Sequence, residues 1–160
     1  MIPTGGSDLG IEARLAVYDL FVLYADALDY RRWELLEEVF SADVTSAWPM
    51  GEVLEGREQM VELIQRHFAE IGPTHHLMGN FSARSDGEEI LASVRIRAYH
   101  SGAGERADLF EESLGSFDAR ARPTADGWRF VHFSEEVFVA LGSYEVFGLP
   151  GELRTGAGPG

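Results

Sequence analysis

The chain contains no cysteine and no lysine. Without cysteine there is no disulfide framework, no thiolate nucleophile and no cysteine-based zinc site. Without a lysine amine, Schiff-base chemistry and a phosphate-binding P-loop are excluded. No apolar run approaches the roughly 18 residues a membrane-spanning helix needs. The first six residues lack the basic start and apolar stretch of a signal peptide, so the cytoplasm is the expected compartment. Positive charge is scarce: thirteen arginines face 27 acidic residues, a formal net charge of −14. Such a surface repels phosphate backbones, anionic membrane faces and strongly anionic substrates, so neither nucleic acid nor membrane is an expected partner.

What remains is an ordinary globular composition, 45% hydrophobic and 25% charged over 160 residues. That length suits one domain with a real core. Ser7 and Asp8 are placed to cap a helix running to about Tyr30, with Ile11, Leu15, Tyr18, Val22 and Ala25 at helical spacing on its inward stripe. A short helix over residues 31–40 carries Trp33, Leu36 and Phe40 on one face. Residues 44–48 read as a strand, followed by a turn at Pro49-Met50-Gly51. A third amphipathic helix spans residues 57–71, with Met60, Ile64, His67, Phe68 and Ile71 inward, and stops at Gly72-Pro73.

Everything after Pro73 reads as strands, over residues 75–84, 89–100, 106–122 and 128–140. Turn residues join these alternating runs, the pattern of an antiparallel meander. Helices first and hairpins afterwards predict an α+β domain, helices on one face of a curved sheet, over residues 1–147. The Gly/Pro-rich residues 148–160 read as a flexible tail.

Asp29 continues the apolar stripe of the first helix at its C-terminal end. Burial and the helix macrodipole both disfavour its charge, and a nearby imidazolium would offset them. The alternative is a solvated residue at a frayed helix end. His100 ends the row Ala92, Val94, Ile96, Ala98 by strict alternation, while Ser93, Arg95, Arg97 and Tyr99 share the other face. It is therefore the natural partner for Asp29, or else a histidine that only fills space. His75 and His76 are adjacent and must point to opposite faces. Parity does not decide between them, and a metal ion shared by both is awkward. Tyr24 is one turn before Leu28. His132 alternates with Trp128 and Phe130, and one of Glu111 and Glu112 faces inward. Trp48, Met50, Met78, Asn80, Phe110 and Phe138 are the expected substrate contacts.

The run Tyr24-Ala25-Asp26-Ala27-Leu28-Asp29, then Trp33 and Phe40, resembles the opening of the NTF2-like proteins of the SnoaL type. Thr74-His75-His76-Leu77-Met78-Gly79-Asn80 and Asp126-Gly127-Trp128-Arg129-Phe130 resemble its later signatures. The resemblance covers residues 11–140 and implies a cone-shaped fold around an apolar pocket, used by dehydratases, isomerases, cyclases and non-catalytic subunits alike. Within it the pattern is similar to scytalone dehydratase. That likeness makes Asp29 the catalytic aspartate, His76 the first catalytic histidine, and His100 the second histidine, paired with Asp29. A likeness to bile-acid dehydratase adds Tyr24. Leu28 and Trp48 stand where scytalone dehydratase has two tyrosines, and Gly115-Ser116-Phe117-Asp118 offers no match for its pocket asparagine, so scytalone itself is a poor substrate. The resemblance implies a dehydratase needing no cofactor or metal, with a small hydrophobic substrate such as a polyketide or terpenoid intermediate. A cyclase or isomerase using the same residues, and a non-catalytic binding domain, are the alternatives. It further implies a homodimer or homotrimer, with Arg95, Arg97, Arg120 and Arg122 on the interface.

Overall fold

A computed structural model describes residues 9–49, 51 and 53–149. Helix α1 (Ile11–Asp29) leads through a 3-10 turn (Trp33–Leu35) into the single-turn helix α2 (Leu36–Val39) and strand β1 (Phe40–Ala47). Strand β2 (Val53–Glu55) and helix α3 (Arg57–Phe68) follow. Four long strands complete the domain: β3 (Thr74–Asp86), β4 (Glu89–Ser101), β5 (Phe110–Thr124) and β6 (Gly127–Gly142). The fold class is α+β, as the element order predicts. Among the described residues no helix is long and apolar enough to cross a membrane.

The six strands form one sheet in the order β2-β1-β6-β5-β4-β3. β3 to β6 are the expected antiparallel meander. The sheet as a whole is mixed, because β1 runs parallel to β6, with Thr45 opposite His132. Helices α1 and α3 pack over the inner face. The centre of the core is aromatic: Phe21, Tyr24, Phe40, Phe117, Phe130 and Phe133 are at most 2% exposed, with neighbouring rings 4.7–6.3 Å apart. Rings this closely tilted add attraction beyond the area they bury.

α1 is rotated from the expected stripe. Val17, Leu20, Phe21, Tyr24, Ala27 and Leu28 are buried, whereas Ile11, Leu15 and Val22 are 66%, 54% and 38% exposed. This helix is apolar on more than one face, so its period fits two stripes, and the sheet takes the one carrying the larger rings. Gly10 precedes α1 without a side-chain cap; Ser7 and Asp8 lie outside the described residues. The helix expected over residues 31–40 is cut short because Phe40 already belongs to β1. α3 ends at Phe68, although Ile71 beyond it is still buried.

Three bulges break the strict alternation of β3 and β6. In β3 one extra residue lies between Gly79 and Ser82, and Asn80 takes a positive φ of 49° there. In β6 the register against β5 shifts at Val131 and again at Phe138. Each extra residue reverses which face the following side chains meet. In β6, Phe130, Phe133, Glu135, Val137 and Ala140 therefore face inward, a sequence that no single alternation produces.

Gly115 makes the β6 bulge at Phe138 fit. A Cβ added there would stand 1.9 Å from the Glu136 carbonyl oxygen and 3.1 Å from Val137 Cα. Both are backbone atoms, which cannot rotate away. Gly115→Ala is expected to destabilise the protein by about 2–4 kcal/mol, within the range for overpacked interiors and broken special backbone. Chemical denaturation measures it; a loss below about 0.5 kcal/mol would show that the two strands part easily.

Candidate active site

α1 and the start of β3 are joined by one arginine. Arg31, just past the helix end, has a backbone φ of 56°, a conformation L-residues adopt at a cost of about 1–3 kcal/mol. Its guanidinium donates to the Leu28 carbonyl, to the Gly72 carbonyl (2.8 Å) and to Thr74 Oγ1 (3.1 Å), and lies 5.0 Å from the Phe68 ring centre. These contacts hold the end of α1 against β3 and bring Asp29 beside His76.

Asp29 is the acceptor of three hydrogen bonds. Thr74 Oγ1 donates to Oδ1 (2.8 Å), the His76 backbone N–H donates to Oδ2 (2.8 Å), and His76 Nδ1 lies 2.7 Å from Oδ1. Burial raises the carboxyl's pKa, but the bonds and charge from His76, with the Thr74 hydroxyl, outweigh it and hold Asp29 at about 2. His76 is shifted down from its ordinary value, chiefly by burial and also by His100, with Asp29 opposing. The pair at neutral pH is thus a carboxylate and a neutral imidazole. Nδ1–H donates to Asp29, so the lone pair is on Nε2.

His100 does not pair with Asp29, which corrects the expected pairing. Its Nδ1 is 2.7 Å from Glu111 Oε2, and Ser113 Oγ donates to Glu111 Oε1 at 2.5 Å. The cause is strand parity: Glu111 is directly opposite His100 in the β4–β5 register, on the inner face, and is 1% exposed. Glu112 points outward and pairs with Arg97. The site therefore holds two separate histidine–carboxyl pairs. The two imidazole rings are 5.4 Å apart and nearly perpendicular.

Both histidines line a cavity of about 140 Å³. Tyr24 and Leu28 of α1 and Ile64, His67 and Phe68 of α3 form one side; Ala98, Phe117, Glu135 and Val137 of the sheet form the other. Trp48 stands at the rim. A 3-10 turn, Tyr144–Phe147, closes over the site, with Phe147 stacked on His67 at 4.1 Å and 5.1 Å from His100. Among the described residues no group of three or more His, Asp or Glu side chains is arranged to hold a metal ion.

Of the other expected contacts, Tyr24 and Trp48 line the cavity and four do not. Met78, partly buried, packs against the core instead. Asn80 is turned outward by the β3 bulge. Phe110 precedes Glu111, so it faces out and stacks on Tyr99 at 5.8 Å; Phe138 is the extra residue of the β6 bulge, and Arg95 lies 4.9 Å from its ring centre. Met50 lies outside the described residues. His75 is exposed while His76 is buried, and His132 bonds Thr45 between β1 and β6 at 2.8 Å rather than entering the cavity. Leu149, expected in the tail, stands in the cavity wall; residues 150–160 lie outside the described residues.

Three cavity groups were not among the expected site residues. His67, expected only to pack, has its pKa lowered to about 4 by burial, by His100 and by Arg66. Tyr144 sits in the closing turn, with its phenol pKa raised by burial and by Glu111 and Glu135. Glu135 is enclosed on the inner face of β6, and burial, then Glu111, raises its carboxyl to about 7. Tyr24 is raised well above the ordinary 10, first by burial and then by Glu135, so its phenol keeps its proton. Alternation in β5 carried a signal for Glu111, since Phe117, Ala119 and Ala121 share its parity; the bulges removed any such signal for Glu135.

A family described as a SnoaL-like domain matches residues 10–134. The chain belongs to this SnoaL-like family. A curated relative, the uncharacterized protein Rv2910c of Mycobacterium tuberculosis, is 32% identical over 124 residues, 76% of this chain and 82% of its own. Three solved structures share the fold. A protein from Novosphingobium aromaticivorans named for aromatic ring hydroxylase superposes with a TM-score of 0.78 at 21% identity, covering 88% of this chain and 99% of its own. One from the same organism named for scytalone dehydratase gives 0.75 at 16% identity, over 84% and 93%. The hexachlorocyclohexane dehydrochlorinase LinA, type 2, gives 0.75 at 12% identity, over 82% and 89%. At these identities the likeness is one of fold, and it is the NTF2-like cone that the SnoaL-like family implies.

Proposed function

We propose that this SnoaL-like protein is a cofactor-independent dehydratase acting on a small, mostly apolar β-hydroxy carbonyl compound. The observation that carries this reading is the Asp29–His76 pair opening on an apolar cavity, with the free imidazole nitrogen as base. His76 Nε2 takes the proton beside the carbonyl, and Asp29 stabilises the imidazolium that forms. The carbon–hydrogen electrons form the new carbon–carbon double bond as the β-carbon–oxygen bond breaks. The imidazolium of His76 returns its proton to the departing hydroxyl, which leaves as water. His100, held by Glu111, keeps that hydroxyl in place through its own Nε2, and Tyr24 donates to the developing enolate oxygen.

Two of the fold relatives are named for eliminations, of water and of hydrogen chloride, which supports the reaction class. The chain has no lysine, and among the described residues no arginine lines the cavity, in keeping with an uncharged substrate such as a polyketide or terpenoid intermediate. A homodimer or homotrimer belongs to the same reading. Its arginine face is largely satisfied within one chain, since Arg97 pairs with Glu112, Arg120 with Asp86 and Glu89, and Arg122 with Glu89. The exposed Leu77, Tyr99, Val139 and Leu141 on the outer face of β3, β4 and β6 are the better apolar contact for a second copy. Sedimentation equilibrium reads the oligomer directly, and a monomer at all concentrations would refute it.

The test of activity is mass spectrometry on a panel of β-hydroxy ketones with wild type and His76→Ala. Loss of one water by wild type, abolished in the variant, is the expected result. Conversion without a change of mass would show a cyclase or isomerase using the same residues. Loss of water unchanged in His76→Ala would remove His76 from the mechanism.

A further inference from the structure

The elimination mechanism leaves one cavity carboxyl group unused. Among the described residues nothing hydrogen-bonds or ion-pairs with Glu135, whereas Asp29 receives three hydrogen bonds and Glu111 is bonded by both His100 and Ser113. Its position is built by the sheet. Glu135 is opposite Phe117 in the β5–β6 register and follows Phe133 on the inner face. Tyr24 rests on those same two rings, 5.3 Å from Phe117 and 4.8 Å from Phe133, and both it and Glu135 line the cavity, near enough that the Glu135 charge raises the phenol's pKa. β6 and β3 are three strand positions apart, about 14 Å at the usual strand spacing. One end of the cavity thus offers two imidazole nitrogens, and the other offers a phenol and a carboxyl.

We propose that Glu135, in its acid form, and Tyr24 together clasp the carbonyl oxygen of the substrate, while His76 and His100 act on its carbon skeleton. A carboxyl donates a hydrogen bond only while it holds its proton. The enclosure that raises this group to about 7 keeps the proton in place over the acid to neutral range. The groups facing it are Tyr24 from α1, His67 from α3, His76 (backed by Asp29) from β3, His100 from β4, Glu111 from β5 and Tyr144 beyond β6. Among the described residues none of these is a fixed cation that would favour an ionised Glu135. No proton is transferred in full at this end: both donors strengthen their bonds as charge grows on the oxygen and relax when the double bond forms. The ligand class follows. It carries a neutral ketone or aldehyde oxygen and no carboxylate, which would be repelled by Glu111 and displace the proton of Glu135. Carbonyl binding stands on the placement of Tyr24 and Glu135 in the cavity and on the enclosure of the carboxyl; only the use made of it rests on the dehydratase reading.

A ketone probe that undergoes no reaction separates the two. 1-Tetralone labelled with carbon-13 at the carbonyl would be titrated into wild type, Glu135→Ala, Glu135→Gln and Tyr24→Phe at about pH 6 and about pH 8.5. In wild type at the lower pH the bound carbonyl carbon is expected to move downfield. Affinity falls about tenfold as Glu135 loses its proton at the higher pH. Glu135→Ala and Tyr24→Phe each lose a comparable part of the shift. Glu135→Gln retains an amide donor, so it keeps part of the shift and loses the pH dependence. Unchanged shift and affinity in Glu135→Ala, or no binding of the ketone by wild type at either pH, would overturn the proposal. If the carbonyl readout holds but no panel compound loses water, the dehydratase reading fails alone. If water is lost and Glu135→Ala matches wild type in both assays, the Glu135 proposal fails alone.

Discussion

Asp29→Asn is expected to lower turnover by about 10²–10⁴-fold while the fold is retained. The reason lies in which atoms Asp29 faces. Oδ2 accepts from the His76 backbone N–H, while Oδ1 meets His76 Nδ1 and the Thr74 hydroxyl. An asparagine has one carbonyl oxygen, and the fixed backbone N–H claims it. Its amide nitrogen then occupies the Oδ1 position and donates to His76 Nδ1, which must become the acceptor. The ring proton moves to Nε2, and the lone pair that faced the cavity is gone. The variant keeps the hydrogen-bond count and loses the base. A wild-type pH profile that rises as His76 deprotonates should become flat in the variant. Substrate affinity should change little, because Asp29 touches His76 and not the ligand. Turnover retained in Asp29→Asn would mean that the base is elsewhere, and His100 with its separate partner Glu111 would be the next residue to substitute.

That the two pairs are separate was not legible beforehand, and the cause is geometric. Strict alternation in β4 holds from Ala92 to His100, so the inward position of His100 could be read directly. Its partner required knowing the β4–β5 register, in which Glu111 stands directly across. A register cannot be taken from one strand. The likeness to scytalone dehydratase implies a second histidine paired with the aspartate; here the aspartate pairs with His76 and the second histidine has a glutamate of its own. Asp29 was found although α1 is rotated from the expected stripe. Ala25 is buried on either reading, and Asp29 follows it by one turn.

The β6 residues show why the remaining part of the wall could not be read. Counting every second residue from Phe130 puts His132, Ser134, Glu136 and Phe138 inside. The bulge at Val131 reverses that parity, so Phe133, Glu135 and Val137 enter, and the bulge at Phe138 reverses it again for Ala140. Nothing in the string Phe130-Val131-His132-Phe133 marks the extra residue, and Gly115, opposite Val137, is a local sign only of the later bulge at Phe138. The same mechanism in β3 turned Asn80 outward. The fold, set by the order of helices and hairpins, survives such slips because each bulge is absorbed locally. A site, set by which face each side chain meets, does not.

Glu135→Gln is expected to stabilise the protein at about pH 8 by roughly 2–3 kcal/mol and to leave it unchanged near pH 4.5. Glu135 titrates near 4.5 when the chain is unfolded and near 7 when it is folded. Between those values the folded state holds a proton that the unfolded state has released. Stability from this group is therefore complete below about 4.5, falls as pH rises through the window, and is at its lowest above about 7. His67 runs the other way: burial lowers it from 6.5 to about 4, so its contribution grows as pH rises through that range. In wild type the slopes of His67 and of His76, which is also shifted down, oppose that of Glu135, so the wild-type curve by itself hides the Glu135 loss. Subtracting the glutamine variant from wild type in denaturation curves across pH removes His67 and leaves the Glu135 term. A flat difference would mean that the cavity solvates an ionised carboxylate at that end. A difference that opens between about pH 5 and 7 would mean that the fold gives up stability at neutral pH to keep a neutral acid beside Tyr24, as a donor to a carbonyl oxygen requires.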